Sequence, residues 1–364
     1  MTEGRFIAII YTSALVLIGL IQVFIQTFSK KGYTLGASVP KDVSETETMK
    51  QILKDYKLMT LTMTIFLGLG QYFASYLTES VGIITLFFFI SIALLSLPLI
   101  IYNKNLKNMT QGLSQDKRKI IAIDNNEGKA DLRKIMAIAY GASLLLIVGV
   151  SIFLYIDYDK IGDKIIMHTD FEGNVTDMRD KTYLNVFYPG LISLVSLAMF
   201  YFINLMVIKV RPRISKENPE KSLENNRKAK KAWTYYIGLN AFVMTLLFEI
   251  GVNFLALKNT SLPLYILTGL TILLSIGGVI YLGIKVGTDG SRLDKMEEFS
   301  FEEDDKYWIL GGHFYNNPYD PAIFVAKRIG VGYTINIGRP LGKLLMIIIY
   351  GIVICSLISM FIFK

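Results

Sequence analysis

Long apolar runs that are almost free of charged residues alternate along this chain with polar segments. About 20 residues at 1.5 Å each are enough to cross the hydrocarbon core of a bilayer as a helix. Eight runs meet this length: 6–28, 58–77, 81–102, 134–156, 183–208, 232–256, 262–286 and 341–363. The pattern therefore predicts an all-α polytopic membrane protein of about eight transmembrane helices.

The basic residues are concentrated in alternate connecting segments. Of the 38 Lys and Arg residues, 31 lie in segments 29–57, 103–134, 209–231 and 285–343. Basic loops face the cytoplasm, so we expect a multi-pass plasma-membrane protein with both termini extracytoplasmic. The net charge of +8 is then explained by inner loops, and we expect no direct binding of nucleic acid. In segment 209–231, plain loop charge is favoured over a specific contact with anionic lipid.

The same pattern predicts five parts. An N-terminal membrane domain of four spans covers 1–156, with cytoplasmic loops 29–57 and 103–133. The others are an extracytoplasmic acidic loop at 157–182, a second membrane domain of three spans at 183–286, a cytoplasmic β-rich module at 287–340, and a final span at 341–364. Within the module, a turn at NNPYDP and a hairpin in FVAKRIGVGYTINI are expected.

One inner segment predicts a short helix. Ser44 and Glu47 have the spacing of a capping box. The apolar residues that follow repeat at helical spacing, and they are Met49, Ile52, Leu53 and Tyr56. This predicts an amphipathic helix at 44–57 that lies on the membrane surface.

The acidic loop carries the main candidate site. In IIMHTDFEGNVTDMRDK, residues 165–181, the EGN turn joins two short strands and gives an extracytoplasmic hairpin. Seven acidic and four basic residues give segment 157–182 a net charge of about −3. The candidate ligand-binding residues are His168, Asp170, Gly173, Asp177 and Lys181. The alternative is a structural lid with solvated charges.

The loop does not have a complete set of metal ligands. An EF-hand would need glycine where Val175 stands and a bidentate glutamate where Lys181 stands. Zinc would need three or four His, Cys or carboxylate ligands, and the two histidines, His168 and His313, fall on opposite predicted faces. We expect no metal and no cofactor. The single cysteine, Cys355, excludes a disulfide within one chain.

Two intramembrane polar residues are further candidates, Glu249 and Asn253. A buried carboxylate in a bilayer is costly and is often functional, although Glu249 could equally be a packing hydrogen-bond partner. For Asn253, as for Asn204 and Asn240, interhelical hydrogen bonding is the favoured role. A path lined by Glu249 would indicate a secondary transporter or a channel for a small solute or ion.

The hairpin resembles a domain of unknown function found in the SdpI-type bacterial toxin-immunity proteins. The matching residues are Ile165, His168, Asp170, Gly173, Asp177 and Lys181. The sequence departs from that pattern at Ile166, Thr169 and Met178, where proline, an aromatic residue and tryptophan are usual.

Segment 305–340 resembles a second uncharacterised domain that often accompanies the first in bacterial multi-pass membrane proteins. The residues of this module that we single out are Trp308, Asn317, Asp320, Lys327, Arg328 and Asn336. We expect no catalysis, because the chain has no recognised catalytic motif. The resemblance implies an integral membrane protein that gives immunity to, or senses, an extracellular antimicrobial peptide or toxin. Its expected partners are the lipid bilayer, an external peptide and a cytoplasmic regulator. The alternative remains a transporter or channel.

Overall fold

The computed structural model describes residues 3–30, 32–78, 80–111, 128–169, 175–210, 212, 218–255, 261–293 and 305–362. These ranges contain ten α-helices. They are α1 Glu3–Val23, α2 Lys41–Ser44, α3 Glu47–Leu77, α4 Val81–Leu95, α5 Leu97–Thr110, α6 Lys129–Ile156, α7 Tyr183–Lys209, α8 Pro219–Leu246, α9 Ser261–Lys285 and α10 Pro340–Ile362. A π-helical segment, Leu247–Leu255, continues α8.

Eight short strands pair with their sequence neighbours as four antiparallel hairpins in the same described ranges. They are β1 Tyr33–Thr34 with β2 Ala37–Ser38, β3 Lys164–Thr169 with β4 Val175–Asp180, β5 Trp308–Ile309 with β6 Phe314–Tyr315, and β7 Phe324–Ala326 with β8 Tyr333–Ile335. The hairpins predicted in the acidic loop and in the C-terminal module are therefore present.

Seven helical stretches in the described ranges are long and apolar enough to cross a membrane. They correspond to α3, α4 with α5, α6, α7, α8 with the start of the π-helical segment, α9 and α10. The first predicted span falls on α1, whose apolar stretch Ala8–Val23 is shorter. Many of their large apolar side chains point away from the protein, as in Leu145 and Val195, which is the arrangement expected of surfaces that face lipid. The predicted polytopic helical membrane protein is confirmed at this level.

Contacts divide the chain into two compact units. Unit 1 comprises Met1–Ala122, Arg213–Ser222 and Asp294–Lys364, and unit 2 comprises Ile123–Pro212 and Leu223–Leu293. This division groups the elements differently from the segmentation based on sequence. It places α6 with α7, α8 and α9, and it places the C-terminal β-rich module with α1 to α5.

In unit 1 the predicted surface helix is wrong in its start and in its surroundings. The Thr46 hydroxyl, not that of Ser44, caps α3 by accepting a hydrogen bond from the Met49 amide at 3.3 Å. The Ser44 hydroxyl instead donates to the Lys41 carbonyl at 2.8 Å. The helix then runs without interruption into the apolar stretch, so it is not a separate element. Its inner face packs on protein, because Met49 and Tyr56 are buried in a cluster with Leu35, Ala37, Val39, Leu99, Leu106 and Ile329.

In unit 2 the helices α6, α7 and α8 share one apolar interior. Its buried side chains are Leu132, Met136, Tyr140, Ile147, Leu197, Ile208 and Ala241. The carboxyl end of α7 is closed by Lys230 of α8, whose ammonium donates to the carbonyls of Val210 at 2.6 Å and Ile208 at 3.3 Å. A cation at this end of a helix satisfies carbonyls that have no partner within the helix.

The predicted sidedness can be tested with single cysteines in a Cys355→Ser background, since Cys355 is exposed. We expect Met178→Cys, in β4, to react with an impermeant thiol reagent on intact cells. Lys228→Cys, in α8, should react only after the cells are opened, because segment 209–231 is one of the basic segments predicted to face the cytoplasm. Both native side chains are exposed, so burial does not explain a lack of labelling. The opposite labelling pattern would invert the topology.

Candidate functional site

The β3–β4 hairpin joins α6 to α7 directly. Its register pairs Lys164 with Asp180, Ile165 with Arg179 and Ile166 with Met178. After an irregularity, it then pairs His168 with Asp177 and Thr169 with Val175. The strands thus bring two of the predicted site residues, His168 and Asp177, opposite each other. Asp170, Gly173 and the side chain of His168 lie outside the described part of the chain.

Lys181 lies at the base of the hairpin and not beside His168. Its amide donates to the Asp163 carbonyl at 2.8 Å. Its ammonium donates to the carbonyls of Ile161 at 2.9 Å and Tyr158 at 3.3 Å, and lies 4.9 Å from the centre of the Tyr158 ring. Four residues of β3 at 3.2–3.4 Å each separate the base from His168 by roughly 13 Å. Lys181 therefore fixes the hairpin to the turn after α6.

Apolar and aromatic contacts hold the same base. Ile165 is buried with Leu154 of α6 and Val186 of α7. The rings of Tyr158 and Tyr183 stack with their centroids 4.5 Å apart. Tyrosines at helix ends are typical of the membrane–water interface. These contacts hold the hairpin at the ends of two spans. Val175, Met178, Arg179 and Asp180 of β4 stay exposed, and we call β4 the outer strand.

The outer strand presents apolar and charged side chains together. Val175 is 43% exposed and Met178 is 50% exposed. Between them in sequence lies Asp177, whose carboxylate is 3.4 Å from the Arg179 guanidinium in a solvent-exposed pair. Exposed pairs of this kind contribute little to stability.

Glu249 lies in the π-helical segment and is fully buried in unit 2. A β-carbon added to Gly190 of α7 would lie 3.7 Å from its Oε1 and 3.9 Å from the Ser151 hydroxyl of α6. Three helical segments therefore meet at this carboxyl group, with Gly190 of α7 facing it. Asn253 lies in the same π-helical segment, but its side chain is outside the described part of the chain.

In unit 1, Arg328 is 2% exposed and organises the C-terminal module. Its guanidinium is paired with the Asp305 carboxylate and also donates to the Gly36 carbonyl at 3.3 Å. It lies 4.6 Å from the ring centre of Tyr33 and 5.1 Å from that of Trp308. We call Tyr33, Ser38, Asp305, Trp308 and Arg328 the Arg328 cluster.

The Arg328 cluster joins parts of the chain that are far apart in sequence. Both the amide and the hydroxyl of Ser38 donate to Asp305, at 3.1 Å and 2.8 Å. Lys107 of α5 donates to the carbonyls of Asp305 at 2.8 Å and Trp308 at 2.6 Å. Burial raises the pKa of Asp305, but the charge of Arg328 and the hydrogen bonds from Arg328 and Ser38 outweigh it and hold the pKa below its usual range.

Asn336 organises the second half of the module and is fully buried. Its Oδ1 accepts from the amides of Asn317 at 2.9 Å and Gly338 at 3.0 Å. Its Nδ2 donates to the carbonyls of Asn317, Asp320 and Ala322 at 2.9, 3.1 and 3.0 Å. One side chain thus fixes the NNPYDP turn. The predicted module residues Asn317, Asp320 and Asn336 are brought together as this turn network, and Trp308 and Arg328 meet in the Arg328 cluster.

Sequence reasoning missed Asp305, Lys107, Tyr33 and Ser38. They belong to segments that are distant in the chain, and no local spacing distinguishes them. A buried arginine needs a carboxylate partner, and that requirement is the one signal that could have directed a search toward Asp305.

The comparisons with known proteins are sparse. A model described as a family of unknown function (DUF5808) matches residues 318–343, which include Asn336, its partners Asp320, Ala322 and Gly338, and the start of α10. No curated protein and no solved structure matches this chain. The match agrees with an uncharacterised domain at the C-terminal side, and it does not extend to the hairpin that resembles the immunity-type domain.

Replacement of Arg328 by Met should leave the Asp305 carboxylate poorly solvated and without its ionic partner. Breaking a buried pair in this way costs about 3–5 kcal/mol of unfolding free energy. Denaturant unfolding followed by Trp308 fluorescence, in a Trp233→Phe background, measures the loss. In the control Lys50→Met, the partners Lys50 and Glu47 are 63% and 87% exposed, so the cost should stay below about 1 kcal/mol. Equal losses in the two variants would show that the cluster is not a buried ion pair.

The module should also lose stability in mild acid. Burial and the charge of Lys327 lower the pKa of His313. As the pH falls below the ordinary histidine pKa of about 6.5, the unfolded state therefore binds a proton more readily than the folded state does. Stability is complete above that value and declines as the pH falls toward the folded-state pKa. His313→Gln should remove most of the pH dependence of the unfolding free energy in this pH range. An unchanged slope would exclude His313 as its source.

Proposed function

We propose that this protein is a non-catalytic integral membrane protein whose β3–β4 hairpin binds an extracellular cationic, amphipathic peptide. Binding would give immunity to an antimicrobial peptide or toxin, or would sense it. The observation that carries the proposal is the anchored hairpin base with its exposed outer strand. Lys181, Ile165 and Tyr158 fix the base, while Val175 and Met178 are exposed and Asp177 is partly exposed.

The distribution of charge favours a cationic ligand. Segment 157–182 contains seven acidic and four basic residues, and the Lys181 ammonium is turned to the carbonyls of the hairpin base. The strands and turn at 165–180 keep four acidic residues and one basic residue, Arg179. A negative surface raises the rate of encounter with a positive partner. The exposed Val175 and Met178 would meet the apolar face of such a peptide.

The β-rich module of unit 1 supports a second role within this proposal. Its buried polar groups bond mainly to one another, as in the Arg328 cluster and the Asn336 network. Tyr319, at the tip of the NNPYDP turn, is largely exposed. In the expected topology this module faces the cytoplasm. We infer that the tip presents Tyr319 to a cytoplasmic regulator.

A transporter or channel is the second candidate function, and one observation favours it. Glu249 lies where α6, α7 and the π-helical segment meet. Intramembrane carboxylates commonly mark ion or proton paths. A transport role would not require the exposed strand of the hairpin. Mutations in that strand should therefore impair function under the binding candidate and leave function unchanged under the transport candidate.

The binding proposal can be tested with a synthetic amphipathic peptide of Lys and Leu. Its affinity is measured for the protein in nanodiscs of zwitterionic lipid, so that the bilayer carries no net charge. We expect Asp177→Asn combined with Asp180→Asn to weaken binding about tenfold, which is about 1.4 kcal/mol, and to reduce its salt dependence. Asp170→Asn should act in the same direction.

The matched control is Asp42→Asn with Glu45→Gln, which removes two exposed carboxylates of unit 1. This variant should keep the full affinity, and a Glu and Leu peptide should not bind. Wild-type affinity in the Asp177 and Asp180 variant would reject the hairpin as the binding surface and would leave the lid interpretation.

A further inference from the structure

The described part of unit 2 contains buried polar atoms that have no hydrogen-bond partner among its described residues. Ser193 and Asn204 of α7 and Thr234 of α8 are fully buried. Among the described residues, no protein group hydrogen-bonds to the Ser193 hydroxyl, the Asn204 Oδ1 or the Thr234 hydroxyl. Buried polar atoms of this kind are normally satisfied by ordered water or by a bound ion.

These atoms lie at two levels of the helical bundle. At one level, the Asn204 amide donates to the Tyr140 hydroxyl at 3.2 Å and to the Thr234 carbonyl at 3.2 Å. At the other level, Gly190 brings α7 against Glu249 and Ser151. Ser193 is one helical turn from Gly190. We call Glu249, Ser193, Ser151 and Gly190 the carboxyl level.

An apolar layer separates the two levels. Ile147 of α6, Leu197 of α7 and Ala241 of α8 are buried together in the shared core. In α7, Leu197 lies between Ser193 and Asn204 in sequence, so the polar atoms do not form a continuous line. The carboxyl level lies nearer the ends of α6 and α7 that carry the β3–β4 hairpin, since Ser151 is five residues before the end of α6.

The backbone at the carboxyl level is also unusual. Glu249 lies in the π-helical segment Leu247–Leu255. A π-helical turn disturbs the regular ladder of backbone hydrogen bonds, and such turns occur frequently at functional sites.

We propose that Glu249 is a proton-binding site inside the membrane that exchanges with water from the hairpin side. The carboxylate takes a proton from a water-borne hydronium ion, which becomes water, and on release the proton returns to water. Ser193 and Ser151 hold the water that carries the proton. The layer of Ile147, Leu197 and Ala241 closes the path toward Asn204. The inference stands independently of peptide binding at the hairpin.

The chemistry of the site favours a proton over a metal cation. In the described part of the chain, no three His, Cys, Asp or Glu side chains form a group that could hold a metal ion. One carboxylate with neutral hydroxyls is enough to hold a proton, whereas hard cations take six or more oxygen ligands.

A hydrophobic fluorescent carbodiimide tests the proposal, because it reacts with protonated carboxyl groups in apolar surroundings. The protein in nanodiscs is labelled over a range of pH, and the modified residue is located by peptide mass spectrometry. We expect the label on Glu249, with a rate that falls about tenfold per pH unit once the carboxyl group ionises. Glu249→Gln should abolish the label, and Glu224→Gln, which changes an exposed carboxylate, should not change it.

Two further arms keep the test decisive if Glu249→Gln does not fold. Glu249→Asp keeps the carboxyl group and should retain labelling with a shifted pH midpoint. In liposomes that contain correctly oriented protein, the labelling rate should follow the pH on the hairpin side only. Labelling that is independent of pH, that occurs at another residue, or that follows the opposite compartment would overturn the proposal. Protection of Glu249 by sodium at constant pH would replace the proton by a cation and would also overturn it.

Discussion

Polar groups inside a bilayer have no water with which to form hydrogen bonds, and this constraint governs most of the structure. It explains why the apolar stretches are helices, in which backbone groups bond within the element. It also explains why side chains such as Thr60, Thr64 and Ser143 bond back to carbonyls of their own helices. Among the described residues, exceptions such as the Ser193 hydroxyl, the Asn204 Oδ1 and the Thr234 hydroxyl are informative because the constraint makes them costly.

The same principle operates where strands and loops meet the ends of helices. Arg328 is buried with Asp305, two aromatic rings and a backbone carbonyl, so its charge is compensated on several sides. Lys181 and Lys230 each place an ammonium on backbone carbonyls at a helix end or turn. These three cations fix the positions of the β-rich module, the hairpin and the end of α7. Basic residues in this chain therefore have structural roles, in addition to the orienting role that we expect of the basic loops.

Sequence patterns predicted the helical membrane architecture because apolar length is a local property. Turn chemistry likewise predicted the β3–β4 and β7–β8 hairpins. The patterns failed where an outcome depended on distant partners. The apolar face of residues 49–56 was assigned to the membrane surface, but it packs against Leu35 and Leu106. Lys181 was grouped with His168 as a ligand-binding residue, but its ammonium is held at the base by the carbonyls of Tyr158 and Ile161. The spacing of residues along the sequence could not predict the pairing of Arg328 with Asp305. This pairing also depends on Ser38 and Lys107, which belong to distant segments of the chain.

The central claim is that the exposed strand of the β3–β4 hairpin binds a cationic peptide. Hydrogen–deuterium exchange of the protein in nanodiscs, with and without the Lys and Leu peptide, tests it most directly. The account predicts that the peptide slows exchange in residues 165–180 and leaves the β7–β8 hairpin unchanged. Unchanged exchange in residues 165–180, with protection elsewhere, would contradict the account.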